Sequence, residues 1–195
     1  MELNENFFDY DGNLLRYLSA GDGEKQAILM HGFHFKAETW EESKTIDTFV
    51  KNGYEVFSLD MPNFPNSKSK FEIDEDEIVK LIAEFAQNYI NGRFTLLGAS
   101  ASGYIAIKYA LEYQDTLEKL ILVAPADYPE TTDTVKTRTL LIYGSNDPLI
   151  KQIDNVKKLF TNQVVYIIEG AGHACYLNRS KEFNELIDKF LKNSI

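Results

Sequence analysis

From residue 27 onward the chain alternates short apolar runs with stretches of helical spacing, and this alternation constrains the fold more than any other feature. The runs are AILMHG at 27–32, YEVFSLD at 54–60, FTLLGAS at 94–100, LEKLILVAPA at 117–126, TLLIYGS at 139–145 and QVVYIIEG at 163–170. A strand with one wet face would alternate polar and apolar residues; these runs do not, which is the pattern of parallel strands covered by helices on both faces. Between them, Ile78, Ile82, Phe85 and Tyr89 recur on one helical face behind a capping box of Asp74 and Glu77. Residues 103–113 read as a helix, and Phe183, Leu186, Ile187, Phe190 and Leu191 make a second helical stripe near the end. Two extended runs, 2–9 and 14–18, flank Asp11-Gly12, a two-residue hairpin signal. The expectation is an α/β fold in one domain over 1–195: a mostly parallel central sheet, helices on both faces and an N-terminal antiparallel hairpin.

Composition narrows the function. With 44% hydrophobic residues, a chain of 195 buries one sizeable core. A formal net charge of -10 repels phosphates, which argues against nucleic acid and anionic membrane surfaces as partners. No apolar segment reaches the roughly 18 residues of a membrane span. The opening MELNENFFDYDG carries acids where a secretory signal carries lysines. The single cysteine, Cys175, makes no internal disulfide, so a cytoplasmic protein is expected. Three scattered histidines and one cysteine lack paired ligand spacing, so neither a metal nor a cofactor is expected.

In an open parallel sheet, reactive groups collect at the carboxyl ends of the strands. Ser100 closes the run FTLLGAS and is followed at once by helical sequence, so the chain turns sharply there and thrusts the side chain outward. Such an elbow is usually written G-x-S-x-G; Gly98 fills the first small position, while Ser102 stands at the second with Gly103 after it. A helical first turn does not require positive φ, so serine at 102 is compatible with the elbow. Ser102 is the weaker nucleophile candidate, because it lies inside the helix. LLIYGSNDP delivers Asp147, a residue that in isolation reads as a turn or cap, and IIEGAGHACY delivers His173 beside two glycines.

The order Ser, Asp, His is that of α/β-hydrolases. A serine hydroxyl needs a base to take its proton as it attacks, and a neutral imidazole does so when a carboxylate holds the ring. Ser100, His173 and Asp147 are the candidates for nucleophile, base and acid. The negative oxygen formed on attack needs backbone donors, for which the amides of Ala101 and Phe33 are expected. His34 and Ser102 are candidate pocket residues. His31 reads as structural, bonded to nearby backbone; Cys175 and Trp40 read as core. Only about a dozen residues, DYPETTDTVKTR, separate two strands where a lid would be inserted, so no lid is expected.

The segments HGFHFKAETW (31–40), LDMPNFPNSKS (59–69), GASASGY (98–104), LLIYGSNDP (140–148) and GAGHACYL (170–177) together resemble the small lidless hydrolases of the alpha/beta-hydrolase domain-containing protein 14 group. That group likewise carries serine then glycine after its elbow. The resemblance implies an α/β-hydrolase fold, hydrolysis of small acyl esters and, for some members, acyl transfer from acylated lysine to coenzyme A. It maps nucleophile, acid and base onto Ser100, Asp147 and His173. One departure stands out: where the group has Pro-Gly-x-Gly-x-Ser, this chain has Pro62-Asn63-Phe64-Pro65-Asn66-Ser67. Proline cannot follow the glycine path, so this loop must run differently.

The leading expectation is a carboxylesterase-like serine hydrolase acting on a small-molecule acyl ester or thioester. The same acyl-enzyme passing its acyl group to coenzyme A is one alternative, and a non-catalytic ligand-binding module on a hydrolase scaffold is another.

Overall fold

The computed structural model describes residues 2–195. Strands β1 (Asn4–Tyr10) and β2 (Asn13–Ala20) form the N-terminal hairpin, followed by β3 (Lys25–Met30), β4 (Tyr54–Leu59), β5 (Phe94–Ala99), β6 (Leu117–Val123), β7 (Arg138–Gly144) and β8 (Gln163–Ile168). They make one eight-stranded sheet in the order β1-β2-β4-β3-β5-β6-β7-β8. β1 pairs antiparallel with β2 and β2 with β4; every later pairing is parallel. Asp11 and Gly12 both take positive φ, 49° and 80°, as a primed hairpin turn requires.

The sheet separates two cores. Ile28, Leu96, Leu120, Leu122 and Leu141 face one way, with Ile78, Ile82, Phe85 and Tyr109. Leu29, Leu97, Ile121, Ile142 and Leu140 face the other way, with Trp40, Phe49, Phe183 and Phe190. Neighbouring residues of one strand thus enter different cores, and both are apolar, which is why the runs show no alternation.

Helices α3 (Glu75–Tyr89), α4 (Ala101–Tyr113) and α5 (Ile153–Lys157) contribute to the first core; α1 (Thr39–Glu42), α2 (Thr45–Lys51), α6 (Cys175–Asn178) and α7 (Ser180–Leu191) contribute to the second. The stripe at the C-terminus packs as expected: Phe183, Ile187 and Phe190 are fully buried. The capping box at α3 is only half formed. Asp74 Oδ1 accepts the Glu77 amide at 2.8 Å, but the Glu77 carboxylate accepts from the Tyr10 hydroxyl and, at 3.1 Å, from Lys80 Nζ. A long-range partner on β1 has captured the side chain that local sequence assigned to the helix end.

Two features of this topology position the site. β3 lies between β4 and β5, so the chain's direction of travel across the sheet reverses there, and a crevice opens beyond the carboxyl ends of β3 and β5. Between β6 and β7, residues 124–137 carry no helix and are tied down by an isolated bridge from Val135 to Phe160 and by hydrogen bonds such as the Ala126 amide to Ser100 O and the Lys136 amide to the Gln114 side chain. No lid is inserted there.

The loop after β4 is fastened by asparagine side chains. Asn63 has φ 66°, its Oδ1 accepts the Ile73 amide at 3.1 Å and its Nδ2 donates to the Ile73 carbonyl. The asparagine side chain thereby acts as a short stretch of paired backbone, fastening the turn to the segment ahead of α3. Asn66 Nδ2 donates to the His34 carbonyl at 2.7 Å.

Candidate active site

β5 ends at Ala99, and Ser100 caps α4 with φ 55° and ψ -118°. This conformation is costly for a residue with a side chain, by about 1–3 kcal/mol, and persists because its surroundings fix it. The Ser100 amide donates to Val123 O at 2.9 Å, and its carbonyl accepts from the amides of Ala126 (2.9 Å) and Tyr104 (3.2 Å). Small residues make the turn possible. A Cβ on Gly98 would lie 2.4 Å from Ser102 O, and one on Gly103 would lie 2.9 Å from Pro125 Cα. The second place where only glycine fits is therefore 103, and position 102 is free to carry a side chain.

Asp147 follows β7 and caps the turn at Pro148–Gln152. Its two oxygens have different duties. Oδ1 accepts the Leu149 amide at 2.9 Å, and Oδ2 meets His173 Nδ1 at 2.9 Å. The turn-cap role that the sequence suggests is thus present alongside the contact to histidine. His173, on the loop after β8, puts Nε2 2.9 Å from Ser100 Oγ. With the proton on Nδ1 and given to the carboxylate, Nε2 is left to accept from the serine hydroxyl. The Asp147 side chain is fully buried, whereas that of His173 is 38% exposed. The histidine is held from behind by a dry carboxylate and opens in front to solvent.

The loop after β3 closes the other side. A Cβ on Gly32 would sit 3.5 Å from Ser100 Cβ, so this loop runs beside the nucleophile candidate. Neither the Phe33 amide nor the Ala101 amide gives its hydrogen to an acceptor among the described residues. Both are free donors flanking Ser100. Phe33 is exposed, with ring contacts at 5.1 Å to His34 and 5.2 Å to Phe64. His34 is exposed beside it.

Ser102 departs from expectation. It is fully buried, and its hydroxyl donates to the His31 carbonyl at 2.6 Å, so it is not a pocket wall. The reason is the direction of its helix: one residue past Ala101 the side chain points back under the β3 loop and away from the opening. Cys175 is buried in the second core, and burial pushes its thiol up to about 12, which leaves no thiolate to compete with serine.

A second charged cluster, not singled out by the sequence reading, sits beneath this loop. Arg16 of β2 meets Asp60 at 2.6 Å, Glu38 at 2.9 Å and also Glu5. Asp60, at the carboxyl end of β4, is fully buried and accepts the Ala37 amide at 3.0 Å. Burial pushes its carboxyl up, but the adjoining His31 ring, the Ala37 amide and the Arg16 guanidinium outweigh that and hold it down to about 2. The signal for Asp60 was present, as a charged residue closing an apolar run.

A family model described as alpha/beta hydrolase fold matches residues 28–138. ABHD14B of Rattus norvegicus, whose name assigns it provisionally to protein-lysine deacylation, is 29% identical over 98% of this chain and 97% of its own. ABHD14A of Danio rerio is 30% identical over 85% of this chain, which spans 64% of that protein's length. A CIB-like hydrolase from Thermoplasma acidophilum, known as a crystal structure, superposes with a TM-score of 0.89 at 26% identity, covering 99% of each chain. The family match ends before Asp147 and His173, so those two side chains stand on geometry alone.

Proposed function

The chain belongs to the alpha/beta hydrolase fold family and is ABHD14-like within it, and from this premise we propose that it cleaves short acyl esters or thioesters through an acyl-enzyme on Ser100. The observation that carries the reading is the unbroken line Asp147 Oδ2, His173 Nδ1, His173 Nε2, Ser100 Oγ, with 2.9 Å at each contact. In this reading His173 takes the hydroxyl proton as Ser100 Oγ attacks the acyl carbon. Asp147 keeps the ring oriented and stabilises the imidazolium. The oxygen that becomes negative receives hydrogen bonds from the Phe33 and Ala101 amides. Collapse expels the alcohol or thiol, which takes the proton from His173, and water then repeats the sequence to release the acid.

The short acyl preference is supported by the absence of a lid between β6 and β7 and by the solvent-facing edge of His173. A long alkyl chain needs an apolar enclosure. The test is turnover of nitrophenyl esters from acetate to octanoate by wild type and Ser100→Ala. We expect wild-type activity to fall with chain length and the variant to lose at least about 10³-fold. Equal turnover by the two proteins refutes the reading. A fluorophosphonate probe separates it from a non-catalytic binding scaffold, for which Ser100 would stay unlabelled.

A second reading is favoured by the name of the ABHD14B relative: the acyl donor is an acylated lysine. Water and coenzyme A are then the candidate acceptors. Both acceptors meet the same acyl-enzyme. Adding coenzyme A and measuring acyl-coenzyme A against free acid distinguishes them. A cytoplasmic setting is supported by the single buried cysteine, and no helix among the described residues is long and apolar enough to cross a membrane.

A further inference from the structure

We infer that Ser102 is a positioning residue for the oxyanion hole: its hydroxyl pins the His31 carbonyl and so holds the Phe33 amide in register with that of Ala101. The two amides belong to segments far apart in sequence, one on the loop after β3 and the other at the start of α4. The Ser102 bond to His31 O, 2.6 Å long and fully buried, joins these segments directly. Ser102 follows Ala101 immediately, and His31 lies two residues before Phe33.

Planarity of the peptide transmits the constraint. Holding the His31 carbonyl fixes the first peptide plane of the loop. The next plane is fixed by its own carbonyl, Gly32 O, which accepts from His31 Nδ1 at 2.8 Å and from the Phe35 amide at 3.0 Å. In a trans peptide the N–H points opposite to the C=O. With Gly32 O drawn inward, the Phe33 N–H of the same plane is turned outward, on the side of Ser100. The Met61 amide donates to His31 Nε2 at 3.0 Å, which leaves the ring proton on Nδ1, where it serves Gly32 O.

This accounts for a hydroxyl at a position where the elbow pattern has glycine. Close approach of Pro125, just after β6, is satisfied at Gly103, so residue 102 is released from the steric demand. A glycine at 102 would leave the His31 carbonyl buried without a donor, and the loop would be held only through its own histidine.

The inference rests on the acyl-enzyme reading, and the test separates the two. Ser102→Ala and Ser102→Thr are compared with wild type in the full chain, by steady-state turnover of nitrophenyl acetate, the rate of fluorophosphonate labelling and thermal melting. Ser102→Ala is expected to lower kcat and labelling rate by about tenfold or more with KM unchanged, because the donor is used most in the transition state. Ser102→Thr, which keeps the hydroxyl, is expected to recover most of the loss. Wild-type kcat in Ser102→Ala overturns the inference and leaves the acyl-enzyme reading standing. Parallel losses of kcat in Ala and Thr that follow only their melting temperatures overturn it in favour of a packing role. Should Ser102→Ala not fold, Ser102→Cys, similar in size with a weaker donor, must fall between Thr and a dead site, and wild-type kcat there overturns the inference equally. A wild type that neither labels nor turns over removes both readings together.

Discussion

The molecule contains two aspartate–histidine pairs at the carboxyl ends of its strands, and they differ in what the ring nitrogens are given to do. His31 is fully buried, with Nδ1 on Gly32 O, Nε2 receiving the Met61 amide, and Asp60 at 3.5 Å. Each nitrogen is spent on backbone, and the carboxylate belongs to Arg16 and Ala37. His173 gives Nδ1 to Asp147 and keeps Nε2 for the Ser100 hydroxyl, with its ring edge in solvent. Similar side chains therefore make a fixed strut in one place and, in the proposed reaction, a proton carrier in the other. The distinction lies in whether the second nitrogen faces an immovable amide or a hydroxyl able to part with its hydrogen.

The strongest way to break this contrast is to remove each ring. His173→Ala is expected to lower kcat by about 10⁴-fold or more while leaving the melting temperature near that of wild type. His31→Ala is expected to keep measurable turnover but to destabilise by roughly 2–4 kcal/mol, since it strips the buried Met61 amide of its acceptor, removes one of the two donors to Gly32 O and leaves a void. A stable but inactive His31→Ala would show that the two pairs are not distinct in kind.

The acids sharpen the contrast further. Asp60→Asn should cost about 3 kcal/mol, because Arg16 remains buried with one counter-charge fewer, and should lower the melting temperature by roughly 6–12 °C. The pH dependence has a definite sign. The Asp60 carboxyl is held near 2 in the folded chain, below the ordinary 3.8, so its contribution is complete above about pH 4 and is lost as pH falls through 2. That contribution is about 2 kcal/mol for a fully buried group. Denaturant melts from pH 5 to pH 2 should show a component of this size in wild type that disappears in Asp60→Asn. An unchanged acid slope in the variant would assign the effect to other carboxylates.

The smallest expected effect concerns Cys175, two residues from His173 but facing the core. Cys175→Ala should leave kcat within about twofold, and iodoacetamide should modify the folded wild type far more slowly than a free thiol. Rapid alkylation with loss of turnover would mean that the loop bearing His173 opens readily.

Much of this arrangement was legible in the amino-acid sequence because it depends on local signals. Unbroken apolar runs mark strands covered on both faces, and the residues that close them, Ser100 among them, are delivered to one edge of the sheet by topology alone. The free amides of Phe33 and Ala101 follow from the same placement. What could not be read depends on contacts between distant segments. Ser102 reads as a pocket residue because it stands two places from the nucleophile candidate, yet its partner is the backbone of His31 on another loop. Glu77 was drawn from its helix end to Tyr10. Arg16 sits within an apolar strand with no local hint of the three acids, from β1, the start of α1 and the end of β4, that gather around it. The loop at 62–67 had lost its glycines, and only the fold reveals that Asn63 replaces them by gripping Ile73.

β8 is the outermost strand at one margin of the sheet and the eighth in chain order, and the base candidate hangs from the loop that follows it. On the proposed reading, Ser100 of a nascent chain stays without its base until the loop after β8 has docked. Hydrolytic competence would then report that β8 has joined the sheet.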